Sequence, residues 1–279
     1  EIFHQYTDLV EPLSLDEAYL DITENKKNIR SARETAARIK ADILRETGLV
    51  ASAGVAINKF LAKMASDTDK PDGLHVIPPH KMHDYLEQLP VGKFHGIGKA
   101  TEAKMLQQGI KTGFDLKKLS EQELRRSFGK VGHFYYNIVR GNDSRPVTPN
   151  RIRKSVGAEN TFSENLESLA EVQDKLRIIA AKVGERLKNA GAKGKTITLK
   201  VRYDSFESVT RSQTLPDFVE EETQIYALAN QLTEQTQAGE RPVRLLGITL
   251  SGLNLEAEAE QPDEKKRPPG QGRQLHLEF

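Results

Sequence analysis

Apolar and polar positions follow three different regimes along the chain. Residues 1–9 read as the end of a helix, and residues 10–15 and 18–23 as two short strands with Asp16 and Glu17 between them. Over 31–46, Ala32, Ala36, Ile39, Ile43 and Leu44 recur at helical spacing, and Gly48 follows as a C-cap. The run LVASAGVAI, of small and β-branched residues, predicts a strand. NKFLAKMASDTD predicts a helix capped by Asn58. KPDG at 70–73 is turn chemistry and LHVI a further strand. Residues 1–77 are therefore α/β in character.

From residue 78 to 141 the strand signal disappears, and glycines at 92, 96, 98, 109, 113, 129 and 132 break the chain into short helices. Residues 142–154 carry two prolines and little that could form a core, which marks a linker. Regular patterning then resumes: strand (155–162), helix (166–189), strands (195–203 and 207–215), helix (220–236), strand (243–251). The first of these helices has an apolar stripe of Leu169, Val172, Leu176, Ile179, Val183 and Leu187. The order β-α-β-β-α-β over 155–253 is the ferredoxin-like pattern. Residues 254–279, acidic, then basic, then rich in Pro and Gly, read as a disordered tail. The fold class is a multidomain α+β chain.

Composition narrows function mainly by exclusion. Lys+Arg number 41 and Asp+Glu 40, so any basic surface must come from local segregation. The absence of cysteine excludes a disulfide framework, a thiolate zinc site and a cysteine nucleophile, and fits a reducing compartment. No apolar run approaches the roughly 18 residues of a membrane span, and no signal peptide opens the chain. The start, EIFHQYTDLV, lacks an initiating Met and begins within helix-like sequence, which suggests a fragment.

The chemistry centres on EPLSLDEAYLD at 11–21. Neighbouring residues on a straight strand point to opposite faces, so Asp16 and Glu17 can share a divalent ion only if the backbone bends at Leu15-Asp16-Glu17. Hard Mg²⁺ takes such oxygen ligands and leaves positions open for substrate oxygens. The alternative is a pair of solvated hairpin residues. Lys59 and Lys63, one turn apart, read as a solvated helix face.

PLSLDEAYLDIT followed by ASAGVAINKFLAKMASDTDKPDG resembles, in order and spacing, the palm of Y-family translesion DNA polymerases of the bacterial DNA polymerase IV type. The resemblance implies that Asp16 and Glu17 are the catalytic, metal-binding carboxylates and that Lys70 contacts the incoming triphosphate. This turn has Asp72 where an Asn would be expected. The family's palm begins with a strand bearing another metal-binding Asp, followed by the fingers, and neither is in this sequence. The resemblance thus implies a partial palm (1–77), a helical helix-hairpin-helix thumb (78–141), a linker (142–154), a little finger (155–253) and a tail (254–279). The reaction implied is template-directed DNA synthesis, tolerant of damage, by two-metal-ion nucleotidyl transfer with two Mg²⁺ ions and dNTP. The chain alone is expected to be catalytically incomplete. Two rival readings are a non-catalytic module that binds DNA and the clamp, and a nuclease using Asp16 and Glu17.

Phosphate contacts are expected further on. In FHGIGKATEAKML, Gly96 and Gly98 open a helix where bare backbone N–H groups can meet a phosphate, and Lys99 and Lys104 add charge. GIGKA resembles a helix-hairpin-helix grip on primer–template DNA, and FGKVG at 128–132 a weaker second copy. Between Arg125 and Ser155 eight basic residues, Arg151, Arg153 and Lys154 among them, face one acid, Asp143. This suggests a salt-sensitive contact with the DNA backbone. In KTITLKVRY, Ile197, Leu199, Val201 and Tyr203 alternate with Thr198, Lys200 and Arg202, which predicts a polar, basic sheet face for the DNA. The ending QLHLEF puts three large apolar residues on a polar tail. Gln274, Leu275, Leu277 and Phe279 resemble the β-sliding-clamp-binding peptide of bacterial polymerases. A monomer in the bacterial cytoplasm, with no membrane partner, is expected.

Overall fold

A computed structural model describes residues 1–255. The described chain divides into two compact units, Glu1–Arg151 and a second that begins at Ile152. The peptide expected to bind the clamp, Gln274, Leu275, Leu277 and Phe279, lies outside the described residues.

The first unit opens with a single 3-10 turn, Phe3–Gln5, where a helix end was expected. One local and one distant contact accompany its early end. Thr7 Oγ1 accepts from the Leu9 amide at 3.1 Å, diverting the backbone. The buried Tyr6 is held from elsewhere, its hydroxyl donating to Asp42 Oδ2 at 2.6 Å. Strands β1 (Val10–Pro12) and β2 (Ala18–Leu20) then pair antiparallel, with Glu11 opposite Tyr19.

Helix α1 (Ala32–Thr47) begins at Ser31, whose side chain accepts from the Glu34 amide, and ends at Gly48 in the left-handed conformation (φ +71°). Strands β3 (Ala53–Val55) and β4 (Leu74–Val76) are parallel, with helix α2 (Lys59–Ser66) as the crossover. Gly54 fixes how closely α2 approaches: a Cβ built there would lie 2.1 Å from the Ala62 carbonyl oxygen. Only glycine lets the helix rest on β3 at this distance. That contact positions the lysines of α2.

The apolar side of α2, Phe60, Leu61, Met64 and Ala65, joins one core with Leu86, Phe94, Met105, Leu116, Leu124 and Ile138. Phe94 follows a 3-10 turn, and the other partners come from the short helices α3 (Met82–Gln88), α4 (Lys99–Gln107), α5 (Gly113–Lys117), α6 (Glu121–Phe128) and α7 (Val131–Ile138). Capping boxes at Thr112 and Ser120 start α5 and α6. The α/β part and the helical part thus share a core within the first unit.

The second unit is β5 (Ser155–Leu166), α8 (Leu169–Asn189), β6 (Gly194–Tyr203), β7 (Ser208–Val219), α9 (Glu222–Thr233) and β8 (Val243–Leu253). The sheet order is β5-β8-β6-β7 with every neighbouring pair antiparallel. Parallel β5 and β6 are therefore separated by β8, and β7 and β8 by β6, so both β-α-β units are split. Ile197, Leu199, Val201 and Tyr203 point into a core shared with Val172, Leu176, Ile179 and Val183 of α8. Asn254 and Leu255, expected in the tail, belong to the second unit: Asn254 Oδ1 accepts from the Lys193 amide at 2.8 Å and Leu255 packs on the core. Among the described residues no helix is long and apolar enough to cross a membrane.

Candidate functional site

The β1–β2 hairpin forms the bend that the acid pair requires. Amides of Leu13 and Ser14 both donate to the Glu17 carbonyl, at 2.8 and 3.2 Å, closing the turn around Leu15 and Asp16. Asp16 is exposed, and the Ser14 hydroxyl donates to its Oδ1 at 2.6 Å. That hydrogen bond, helped by a backbone amide and by the charges of Lys70 and Lys63, holds the Asp16 carboxyl below the usual range. Glu17 takes a different partner: Lys63 Nζ lies 2.9 Å from its Oε1. The bend is present, but each acid is engaged separately. Among the described residues no three His, Asp or Glu side chains form a group that could hold a metal ion.

Lys59 and Lys63 are not the solvated helix face that their spacing suggests. Their side chains are only 10% and 11% exposed. Lys59 Nζ sits 2.5 Å from Glu11 Oε2, donates to the Pro146 carbonyl at 3.1 Å and lies over the Tyr19 ring. Burial pushes the Glu11 carboxyl up, but Lys59, the Thr148 amide and Arg151 outweigh it and leave it low. Sequence did not mark Glu11 and Lys59 as a buried pair. The one available signal was a cation at the first position of a helix, where the macrodipole disfavours it and an acid partner is called for.

Lys63 joins two carboxylates, Glu17 and Asp67, the latter at 3.1 Å. Burial lowers its affinity for a proton, and the two acids more than restore it. Asp67 in turn holds Lys70 at 2.7 Å. Burial raises the Asp67 carboxyl, and hydrogen bonds from Lys70 and Lys63 bring it below the usual range. A chain of alternating charge, Glu17–Lys63–Asp67–Lys70, therefore joins the acid turn to Lys70 at the C-terminal end of α2, and Asp16 stands in the field of Lys70 and Lys63 without being a link in it.

The turn bearing Lys70 is fixed from α1. Lys40 Nζ donates to the carbonyls of Asp72 and Gly73 and lies 3.0 Å from Asp72 Oδ1. The acid at 72, unexpected in this turn, is thus neutralised by Lys40. Asp72 adopts φ +56°, which Asp and Asn tolerate better than most residues.

At the start of α4, Gly96 has φ +94° and Gly98 is the N-cap with no side-chain cap. Nothing lies within 4 Å of a Cβ built on Gly98, so nothing in the described chain requires glycine there. Lys99 is exposed beside it. A 3-10 turn, Val91–Lys93, precedes the motif in place of an α-helix. Lys104 is engaged within the unit: it donates to the Ser127 carbonyl and lies over the Phe128 ring. In the second glycine motif, Gly129 caps α6 with φ +66°, while Gly132 is a packing residue whose Cβ would meet the Leu124 carbonyl at 2.3 Å.

The basic run is partly internal. Arg140 donates to the carbonyls of Tyr136 and Lys117 and stacks on the Tyr136 ring. Arg125 pairs with Glu121, and Arg145 grips Asp143 with two nitrogens at 2.6 and 2.8 Å. Asp143, 4% exposed, accepts from the Phe60 amide at the start of α2, so part of the expected linker is tied to the first unit. Arg151, Arg153 and Lys154 are exposed.

On the sheet of the second unit the polar face is richer in hydroxyls than in charge. Thr196, Thr198, Lys200 and Arg202 stand opposite Thr214, Ser212, Thr210 and Ser208. Lys200 is paired with Glu159 at 2.8 Å, and Arg202 Nε donates to Ser208.

Comparison with known proteins gives concordant matches. Residues 1–67 match the impB/mucB/samB family, 153–264 that family's C-terminal domain, and 92–143 the DNA polymerase-iota thumb domain. A DNA polymerase IV of Alkalilimnicola ehrlichii is 52% identical over 252 residues, 90% of this chain and 71% of the relative. One of Clostridioides difficile is 50% identical over 255 residues, 91% of this chain and 70% of the relative. One of Akkermansia muciniphila is 46% identical over 278 residues and spans 100% of this chain and 75% of the relative. Among solved structures, a Y-family DNA polymerase chimera of Dbh and Dpo4 superposes with TM-score 0.80 at 26% identity, over 91% of this chain and 73% of that one. An insertion ternary complex of Dbh DNA polymerase matches with TM-score 0.58 at 25% identity, over 90% of this chain and 72% of that one.

Proposed function

Since the chain belongs to the Y-family DNA polymerases, among those named DNA polymerase IV, we propose that Asp16, Glu17 and Lys70 are its contribution to a nucleotidyl-transfer site. The work is damage-tolerant, template-directed DNA synthesis. The observation that carries the reading is the chain of contacts that joins Glu17 to Lys70, 53 positions apart in sequence (70 against 17), at one end of α2, with Asp16 in the field of Lys70 and Lys63.

In this reading Lys70 neutralises the triphosphate, and Asp16 and Glu17 offer oxygens to divalent ions, expected to be two Mg²⁺ in a complete site. Phosphoryl transfer depends on positioning and charge neutralisation. This chain's own share is to hold the acid turn and the phosphate turn against one helix. The chain alone is expected to extend primers poorly.

DNA is held by phosphate and backbone contacts that carry no sequence information, as suits an enzyme accepting any template. The residues proposed for them are Gly96, Gly98 and Lys99, then Arg151, Arg153 and Lys154, then Lys200 and Arg202. Gly98, open to approach from outside, is the strongest of these. Lys200 must exchange Glu159 for phosphate. The C-terminal peptide, Gln274, Leu275, Leu277 and Phe279, is proposed to dock on the β sliding clamp, with the chain a monomer in the bacterial cytoplasm. A second reading, a non-catalytic DNA- and clamp-binding module, is favoured by the separate engagement of the two acids.

Product analysis on labelled primer–template with Mg²⁺ and dNTPs separates the readings. The 279-residue chain should bind DNA and extend it weakly, and Asp16→Ala should remove the extension. Robust extension by the chain would contradict the expected incompleteness. Extension unaffected by Asp16→Ala would remove Asp16 from the site, and shortening of the primer would mean a nuclease.

A further inference from the structure

Lys70, the residue read as the triphosphate contact, already holds an anion in the structure. Its Nζ lies 2.7 Å from Asp67 Oδ1, one turn back in sequence. The two side chains are 49% and 42% exposed, so the pair forms and breaks in contact with solvent and is individually weak. The same carboxylate has a second, better shielded partner: Lys63, 11% exposed, stands 3.1 Å from Asp67 Oδ2. An acid with one partner would be left uncompensated when that partner departs. Asp67 would not be, because Lys63 continues to neutralise it.

From this asymmetry we propose that Asp67 is a built-in competitor for Lys70, a positioning residue that keeps the ammonium at the mouth of the site and yields it to phosphate oxygens. The inference rests on the reading of Lys70 as the triphosphate contact and adds to it the group that is displaced. Exchange swaps one charge-assisted contact for another. Lys63 absorbs the charge left behind, and Lys40 keeps the 70–73 turn in place because its anchor is on Asp72 and Gly73, not on Lys70. The competitor weakens triphosphate binding and thereby eases its release.

The test is titration of the full chain with inorganic tripolyphosphate, followed by amide chemical shifts, for wild type, Asp67→Asn, Asp67→Ser, Lys70→Ala and Asp67→Asn/Lys70→Ala. Removing the competitor should tighten binding about threefold, the size expected for an exposed pair. Lys70→Ala should weaken it severalfold. The double variant should match Lys70→Ala, because with Lys70 gone there is nothing to compete for. A merely structural role for Asp67 would move affinity the other way. Unchanged or weaker binding in whichever Asp67 variant folds overturns the proposal. So does a gain that persists without Lys70, since that would be a general effect of removing a negative charge. If Lys70→Ala binds like wild type, the reading of Lys70 fails first and the competitor falls with it.

Discussion

Single residues decide whether the acid turn is held in place. Glu11 and Lys59 are 8% and 10% exposed, so neither has bulk water to replace the other. Glu11→Gln should leave Lys59 facing a carbonyl and a neutral amide, and should destabilise the chain by about 3 kcal/mol in chemical denaturation, the scale for breaking a buried pair. Glu11 titrates below its ordinary value of 4.5, so the stability it contributes is complete above that pH. It is lost as pH falls through the lowered value. The gap between wild type and Glu11→Gln should therefore be widest near neutrality and narrow in acid; a constant gap would argue against the ion pair. Sequence could not reveal this pair. Lys59 and Lys63 have the spacing of a solvated face, and their partners Glu11 and Glu17 lie 48 and 46 positions away. The engagement of Lys104 was hidden for the same reason: a charged residue's sequence neighbours do not disclose a carbonyl that the fold brings to it.

At the scale of elements, the sequence was legible where a rule acts locally. Ser31 and Gly48 mark both ends of α1, Asn58 starts α2, and alternation along β6 separates its buried from its polar positions. It was less legible where an element is cut short by distant contacts, as when Tyr6 anchors on Asp42 and reduces the expected N-terminal helix to one 3-10 turn. The expected linker was misjudged similarly: Asp143, in a stretch with no apolar pattern, is buried because it caps α2 from outside. Docking of α2 on β3 is the element-level contact on which the site depends. Gly54→Ala would drive a methyl to within 2.1 Å of the Ala62 oxygen, forcing helix and strand apart. A loss of about 3 kcal/mol is expected. Amide shifts should change at Lys63 and Asp67 as well as at residue 54; changes confined to 54 would mean that the helix had not moved.

At the scale of the whole molecule, the proposal gives the chemistry to the acids, DNA contact to the glycine turn and the exposed basic residues, and clamp docking to the C-terminal peptide. Exposed basic residues and an uncapped helix start predict DNA affinity that falls steeply with salt. If the peptide docks on the clamp as proposed, deleting residues 274–279 should abolish capture by an immobilised sliding clamp and leave DNA affinity within about twofold, because the proposed role is tethering and not gripping DNA. Equal loss of both would contradict that division. The claim on which the rest depends is that the 14–17 turn and the 70–73 turn face one nucleotide. Its most direct measurement is paramagnetic broadening of backbone amides by substoichiometric Mn²⁺–dATP. Both turns should broaden together in the wild-type chain, and Lys70→Ala should spare both. Broadening of one turn alone, or of the 14–17 turn regardless of Lys70, would contradict the account.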